Sequence, residues 1–370
     1  MKSCFLCTTP YQILTCISMI QQKKCCADLF IMDQFEGCEE LAVKIRGQRI
    51  FDKIVVVNEK QLYKDLRRSA PKIIVRFKLL LLYLKVSKIV PSVFKELDGY
   101  SDLYISSQAL VGRLVCIYCQ KNKFPIQYHY FDDGMGSYDD STYYVSKIDK
   151  ILRFLLFGKN TINVNYQKDL YCPELYESLH PSDSCLLLNR IEFLDSNQLN
   201  RQIIRNIFPM DSISIISEKF VLFDTVREEE FTPKGSELFE HIVEIMTDFI
   251  SPDDIIVKAH PRDQRNRFSL KYYDTPSIPF ECNCIKQNMD HKVLISCFST
   301  SVFMPKIMFH QEPIVILLYN LLKPYRIKDF EKDEELCYSL RKVYYHPKRV
   351  IIPKSLKELK QTFRQMKKEI

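Results

Sequence analysis

Short apolar runs alternate with helical stretches along most of this chain, and that alternation restricts the fold more than any other feature. Ser3–Thr8 predicts a strand and Tyr11–Gln22 a helix. Ala27–Met32 predicts a strand, Cys38–Arg46 a helix and Lys53–Val57 a strand, followed by a long helical region to about Leu97. Asp102–Ser106, Leu110–Asn122 and Pro125–Asp132 repeat the order strand, helix, strand. Successive strands joined by helices must run parallel, and a parallel sheet needs helices on both faces.

The stretch Tyr166–Lys219 is less periodic, carries Pro173, Pro181 and Pro209, and predicts a connector with one or two helices. Alternation then restarts. Phe220–Asp224, Asp254–Ala259, Lys292–Ser296 and Pro313–Leu317 predict strands. Gly235–Phe249, Ser301–Phe309 and a basic Ser355–Lys368 predict helices. The expected fold class is α/β, with two Rossmann-like domains, residues 1–200 and 201–370, facing a central cleft. A chain of 370 residues supports two such cores.

Composition is that of a globular protein, 46% hydrophobic and 27% charged, with a net charge of +7 that tolerates anionic partners without selecting one. The 14 cysteines come with no secretory pattern, because Met1–Ile20 opens directly into a strand; this implies a reducing cytoplasm. The pairs Cys4/Cys7 and Cys116/Cys119 fall in a strand and a helix, without knuckle turns, and read as packing thiols and not zinc ligands. No segment has the roughly 18 uninterrupted apolar residues of a membrane span. The nearest, Ile73–Val90, is broken by Arg76, Lys78, Lys85 and Lys88 and reads as a surface helix with snorkelling lysines, ahead of a lipid-resting basic patch.

Ligands of open α/β sheets sit outside the carboxyl ends of the strands. Four polar clusters fall there. Cys7–Gln12 (CTTPYQ) follows the first strand; Thr8 or Thr9 would cap the next helix with Pro10 in its first turn, and Gln12 belongs to the same loop. Phe131–Asp140 (FDDGMGSYDD) ends a strand with Asp132 and Asp133, which point to opposite faces. One can enter the cleft while the other braces the loop, and Gly134 and Gly136 permit tight backbone. Val257–Asp263 (VKAHPRD) delivers His260, a candidate general acid or phosphate ligand, with Pro261 fixing the turn and Arg262 favouring an anion. Cys297–Phe303 (CFSTSVF) puts Ser299, Thr300 and Ser301 at a helix start, which is either a cap or an anion site.

The set TPYQ, FDDGMG, HPR and FST, in that order and spanning most of the chain, resembles glycosyltransferase family 52, the bacterial lipooligosaccharide and capsule sialyltransferases. The resemblance implies a GT-B-like fold acting without a metal or other cofactor. Residues 1–200 would form the acceptor side and 201–370 the donor-binding domain. His260 would contact the donor phosphate and act as the acid, Ser299 and Thr300 would bind that phosphate, and Glu281 would fall where relatives hold the ribose hydroxyls. The catalytic base stays open among Asp133, by analogy with a neighbouring sialyltransferase family, and Asp224 and Glu228. The last two lie near the loop where the family carries its aspartate, which here reads FDTVREEE with Arg227 at the matching position.

The expected reaction is inverting, metal-independent transfer of sialic acid from CMP-sialic acid to a surface-glycan acceptor, which the resemblance allows to be lipid-linked. The chain contains no Asp-x-Asp, the spacing many diphosphate-sugar enzymes use for a metal. The alternatives are a transferase using another nucleotide sugar such as a UDP-hexose, or a non-catalytic nucleotide- or sugar-binding protein. No nucleic-acid motif appears, so nucleic acid is not an expected partner. The terminal helix (Lys357, Lys360, Arg364, Lys367, Lys368) reads as a solvated face, or as peripheral contact with the inner face of the plasma membrane. The family resemblance also allows a homodimer.

Overall fold

The computed structural model describes residues 2–61, 85–106, 110–138, 166–181, 187–193, 198–260, 266–273, 278–327 and 333–369. The chain divides into two compact units, Met1–Pro173 with Ser182–Phe208, and Glu174–Pro181 with Pro209–Ile370.

The first unit is built on a seven-stranded parallel sheet. Its strands are β1 Lys2–Cys7, β2 Cys26–Met32, β3 Lys53–Val57, β4 Asp102–Ile105, β5 Gln127–Phe131, β6 Tyr166–Leu170 and β7 Leu188–Arg190. The spatial order is β3-β2-β1-β4-β5-β6-β7, every neighbouring pair parallel. The chain runs outward from β1 in one direction and then crosses to β4 and runs outward in the other. The carboxyl edge between β1 and β4 is therefore a topological switch point, where ligands of open sheets bind. Helices α1 Pro10–Lys23, α2 Cys38–Gln48, α3 Val86–Ile89, α4 Leu110–Lys121 and α6 Gln198–Ile207 belong to this unit.

Helix α1 starts where Thr9, in extended conformation, accepts the Gln12 N–H through its side chain and Pro10 occupies the first turn. It is buried continuously from Gln12 to Ile20, which fits a sheet covered on its faces. The two Cys-x-x-Cys pairs are buried; Cys4, Cys116 and Cys119 pack in the aliphatic and aromatic core of this unit, and the Cys7 thiol lies 3.3 Å from that of Cys16.

The expected connector from Tyr166 onward instead contributes β6 and β7 to the sheet. Its polar sequence hid this. Lys168 and Asp169 are buried, and Asp169 is satisfied by His129 Nδ1 at 2.8 Å and by Lys23 Nζ at 3.1 Å. Burial of charge is permitted by pairing, so the apolar alternation that marks ordinary strands is missing. Most of Ile73–Val90 lies outside the described residues; only its end forms α3. No described helix is long and apolar enough to cross a membrane.

The second unit repeats the plan. Strands β8 Phe220–Asp224, β9 Ile255–Ala259, β10 Lys271–Tyr272, β11 Val293–Ser296, β12 Ile314–Leu317 and β13 Val350–Ile351 form a parallel sheet of order β10-β9-β8-β11-β12-β13. Its switch point lies between β8 and β11. The helices are α5 Pro173–Leu179, α7 Pro233–Thr247, α8 Glu281–Lys286, α9 Met304–Phe309, α10 Tyr319–Leu322, α11 Asp333–Val343 and α12 Leu356–Glu369. Strand β8 is buried along its whole length and packs with Phe239, Ile242 and Met246 of α7. Helix α12 inserts Leu359, Phe363 and Met366, spaced for one helical stripe, into the same core. Lys357, Lys360, Arg364, Lys367 and Lys368 occupy its exposed side. The expected helix Ser301–Phe309 is split into a 3₁₀ turn, Thr300–Val302, and α9, with Pro305 in the first turn of α9.

Candidate active site

Two groups of side chains gather at strand ends, one in each unit. In the first unit the group is built from the loops after β1 and β5. Asp132 is fully buried and collects four donors: Tyr11 Oη at 3.0 Å, Tyr138 Oη at 2.5 Å, Gly134 N–H at 2.8 Å and Tyr171 N–H at 3.3 Å. Burial pushes its carboxyl above the usual range, and these donors oppose that rise. Asp132 therefore braces the loop. Gly134 sits at φ +87°, ψ −154°, a conformation only glycine adopts without strain, and this turns the backbone so that its N–H reaches Asp132.

Asp133, the next residue, is partly exposed. Its Oδ1 accepts from Gln12 Nε2 at 2.6 Å, and its backbone N–H donates to Ser137 Oγ at 2.8 Å. Desolvation in the loop raises its carboxyl to about 7, against the lowering effect of Gln12 and with a further rise from neighbouring Asp132. A carboxyl balanced near neutrality at a strand end is suited to taking a proton from a bound hydroxyl. The sequence pieces TPYQ and FDDG, 121 residues apart at Gln12 and Asp133, are thus brought into direct contact. Thr9 acts as the cap of α1, and Pro10 as its first residue.

The supporting residues Tyr11, Ser137, Tyr138 and Lys168 were not singled out from sequence. Lys168 Nζ donates to the Ser137 carbonyl at 3.2 Å. Three of the four lie inside or directly beside the two motifs, so the signal was proximity to Gln12 and to the glycine pair.

In the second unit the strand ends carry hydroxyls and charged groups. Thr225 Oγ1 and Ser296 Oγ, at the neighbouring ends of β8 and β11, lie 3.5 Å apart. Ser299 precedes the 3₁₀ turn in extended conformation, but its hydroxyl makes no capping bond. Ser299, Thr300 and Ser301 are all partly exposed, and the first N–H groups of the turn have no acceptor within it. His260 follows β9 and is partly buried. Pro261 and Arg262, with Asp139 and Asp140 of the first unit, lie outside the described residues.

Glu281 opens α8 and is buried; burial pushes its carboxyl to about 7, which Lys258 of β9 partly offsets. Lys258 is itself buried, and its amine lies 5.7 Å from the Tyr273 ring centre. Burial lowers the Lys258 amine, and Glu281 opposes that change.

The other base candidates differ in situation. Asp224 is buried at the end of β8 and takes two hydrogen bonds from Arg267, at Oδ2 from Nε at 3.1 Å and at Oδ1 from Nη2; the same Nη2 also reaches the Val226 carbonyl at 3.0 Å. Both oxygens of Asp224 are thereby committed to a structural ion pair. Glu228 is exposed, in the loop where Arg227 pairs with Glu230.

No protein-family model matches this chain, and no curated protein matches it. Among solved structures it is similar to LpCGTa in complex with UDP, with 10% identity, 99% of this chain and 94% of that chain covered, and a TM-score of 0.43. It is also similar to TcCGT1 in complex with UDP, with 9% identity, the same coverages and a TM-score of 0.41.

Proposed function

We propose that the chain is a glycosyltransferase that takes a nucleotide-sugar donor, with Asp133 as the general base. The observation that carries this reading is the situation of Asp133: partly exposed at the carboxyl end of β5, held by Gln12 and raised to about 7. The acceptor hydroxyl gives its proton to Asp133, its oxygen forms a bond to the anomeric carbon, and the bond to the donor phosphate breaks with its electron pair leaving on phosphate. A single displacement of this kind inverts the anomeric centre. Base catalysis of such a step contributes about 10²–10⁴-fold. Ser299, Thr300 and the N–H groups of their turn are assigned to the leaving phosphate, where preorganised donors are worth roughly 3 kcal/mol each. His260 is assigned to the same phosphate as acid, and Glu281 to the ribose.

Two donors are consistent with these assignments. The order of TPYQ, FDDGMG, HPR and FST favours CMP-sialic acid. A UDP-sugar is the other, and UDP is the nucleotide carried by LpCGTa and TcCGT1. Calorimetry of CMP and UDP in EDTA, with wild type and His260→Ala, separates them. CMP binding that weakens in the variant supports a sialyltransferase. Preference for UDP assigns a UDP-sugar donor. Absence of binding to both nucleotides defeats the transferase reading.

A further inference from the structure

Gln12 is fully buried at the start of α1, and its amide oxygen meets two donors from a single residue. The Thr8 backbone N–H lies at 2.5 Å and the Thr8 hydroxyl at 3.1 Å. A backbone N–H can pair only with the amide oxygen, so Thr8 decides which end of the amide faces the aspartate. The NH₂ group is then the end that meets Asp133 Oδ1, at 2.6 Å. On the other side, Ser137 Oγ holds the Asp133 backbone N–H at 2.8 Å. Among the described residues Asp133 Oδ2 has no hydrogen-bond partner.

We infer that Gln12 is a positioning residue for Asp133, locked by Thr8 so that it donates to Oδ1 and leaves Oδ2 to receive the acceptor's proton. This rests on Asp133 being the base, as proposed above. The arrangement has two effects. It fixes the carboxylate plane without neutralising its charge, because an amide donates one proton and carries none away. It also stabilises the ionised form and so restrains the rise caused by desolvation. An apolar residue at position 12 would leave Asp133 protonated over more of the neutral range. The titratable groups around the loop are Asp132 beside it, Tyr11 and Tyr138, whose hydroxyls go to Asp132, and Lys168, whose amine goes to the Ser137 carbonyl.

The test is the ¹³C titration of the Asp133 carboxyl in the full chain, assigned by difference with Asp133→Asn, in wild type, Gln12→Met and Gln12→Asn. Loss of the donor is expected to move the midpoint upward by roughly one pH unit. The acidic limb of the pH–rate profile for sugar transfer is expected to move with it, with kcat falling more than KM changes. Gln12→Asn withdraws the amide by one methylene and adds no charge, so it reads the effect if Gln12→Met does not fold. A midpoint that stays in place in a folded variant overturns the inference. A midpoint that moves in a protein showing no transfer from either nucleotide sugar upholds the Gln12–Asp133 coupling and overturns the reaction assigned to it.

Discussion

Tyr138 Oη donates to Asp132 Oδ2 at 2.5 Å while its own oxygen accepts the Cys172 N–H at 3.2 Å. One hydroxyl thus ties the loop after β5 to the residues that follow β6. Tyr138 is fully buried, as is Asp132. Removing the hydroxyl leaves a buried carboxylate short of a donor, which costs about 1–3 kcal/mol. Tyr138→Phe is expected to lower the melting temperature of the first unit, and thermal unfolding followed by circular dichroism measures it. A melting curve identical to wild type would remove Asp132 as the brace of this loop.

Asp133 is expected to behave in the opposite way. Its folded carboxyl is raised to about 7, well above an ordinary aspartate. A raised group stabilises the fold at pH values below its unfolded pKa, and that contribution is lost as pH rises through about 7. Above that pH the native state carries a charge it does not solvate well. Asp133→Asn removes the charge, so the variant should melt at a higher temperature than wild type at pH 8 and lose this advantage at pH 5. Sugar transfer should fall about 10²–10⁴-fold in the same variant. Scanning calorimetry at the two pH values, beside a transfer assay, reads both outcomes.

A second pH dependence resides in the sheet of the first unit. His129 is buried and lies between two carboxylates, with Nδ1 at 2.8 Å from Asp169 and Nε2 at 3.2 Å from Asp102. Its ring stacks on Tyr104 with centres 4.3 Å apart. Burial alone would lower its pKa, but the hydrogen bonds to Asp102 and Asp169 outweigh burial and raise it, while the Asp102 carboxyl is held low chiefly by the same contact. The charged imidazole therefore stabilises the fold fully below its unfolded pKa of about 6.5, and the contribution fades as pH climbs through the raised folded value. His129→Gln should flatten this dependence, with a larger loss of melting temperature at pH 5.5 than at pH 9. Equal losses at both pH values would place no charge on His129 in the fold.

Asp224 and Arg267 form a buried pair in which the guanidinium uses Nε and Nη2 on the carboxylate and Nη2 again on the Val226 carbonyl. Arg267 also lies 5.7 Å from the Phe239 ring centre, so its charge is held between an anion and an aromatic face. Removing one member of a buried pair strands the other and costs about 3–5 kcal/mol. Arg267→Leu is expected to destabilise the second unit strongly, and chemical denaturation measures the loss. A change smaller than about 1 kcal/mol would mean that Asp224 gains solvent, and would return it to the base candidates.

The two parallel sheets were legible because their inner strands are short apolar runs: β8 is FVLFD and buried throughout, and β1 is KSCFLC with its last five residues buried. The strand β6 was not legible, because YQKDL buries Lys168 and Asp169 beside Leu170, and a partner 146 residues away, Lys23, makes Asp169 tolerable. The same limit applies to the site. FDDG announces two aspartates of unlike role, yet which one is buried depends on Tyr11, Tyr138 and the backbone of Tyr171, contributed by separate segments. Arg267 explains why Asp224 is committed, and nothing near Asp224 in sequence points to it. The edge strands β10 and β13 have two residues each, too few for any pattern.

The remaining prediction concerns the phosphate. Ser299 stands at the start of a 3₁₀ turn without spending its hydroxyl on a cap, and Thr300 and Ser301 follow in the first turn, all partly exposed beyond the end of β11. A residue type that favours capping, in a position where it does not cap, has its hydroxyl available for a ligand. One lost hydrogen bond to a charged group costs about 1.5–3 kcal/mol, which is a factor of about 10–100 in affinity. Ser299→Ala and Thr300→Val should each weaken nucleotide monophosphate binding by that factor, measured by calorimetry, while leaving the melting temperature close to wild type. The corresponding nucleoside, which lacks the phosphate, should bind wild type and both variants alike. If the nucleoside discriminates as strongly as the monophosphate does, the hydroxyls contact the sugar or base, and the phosphate belongs elsewhere on the second unit.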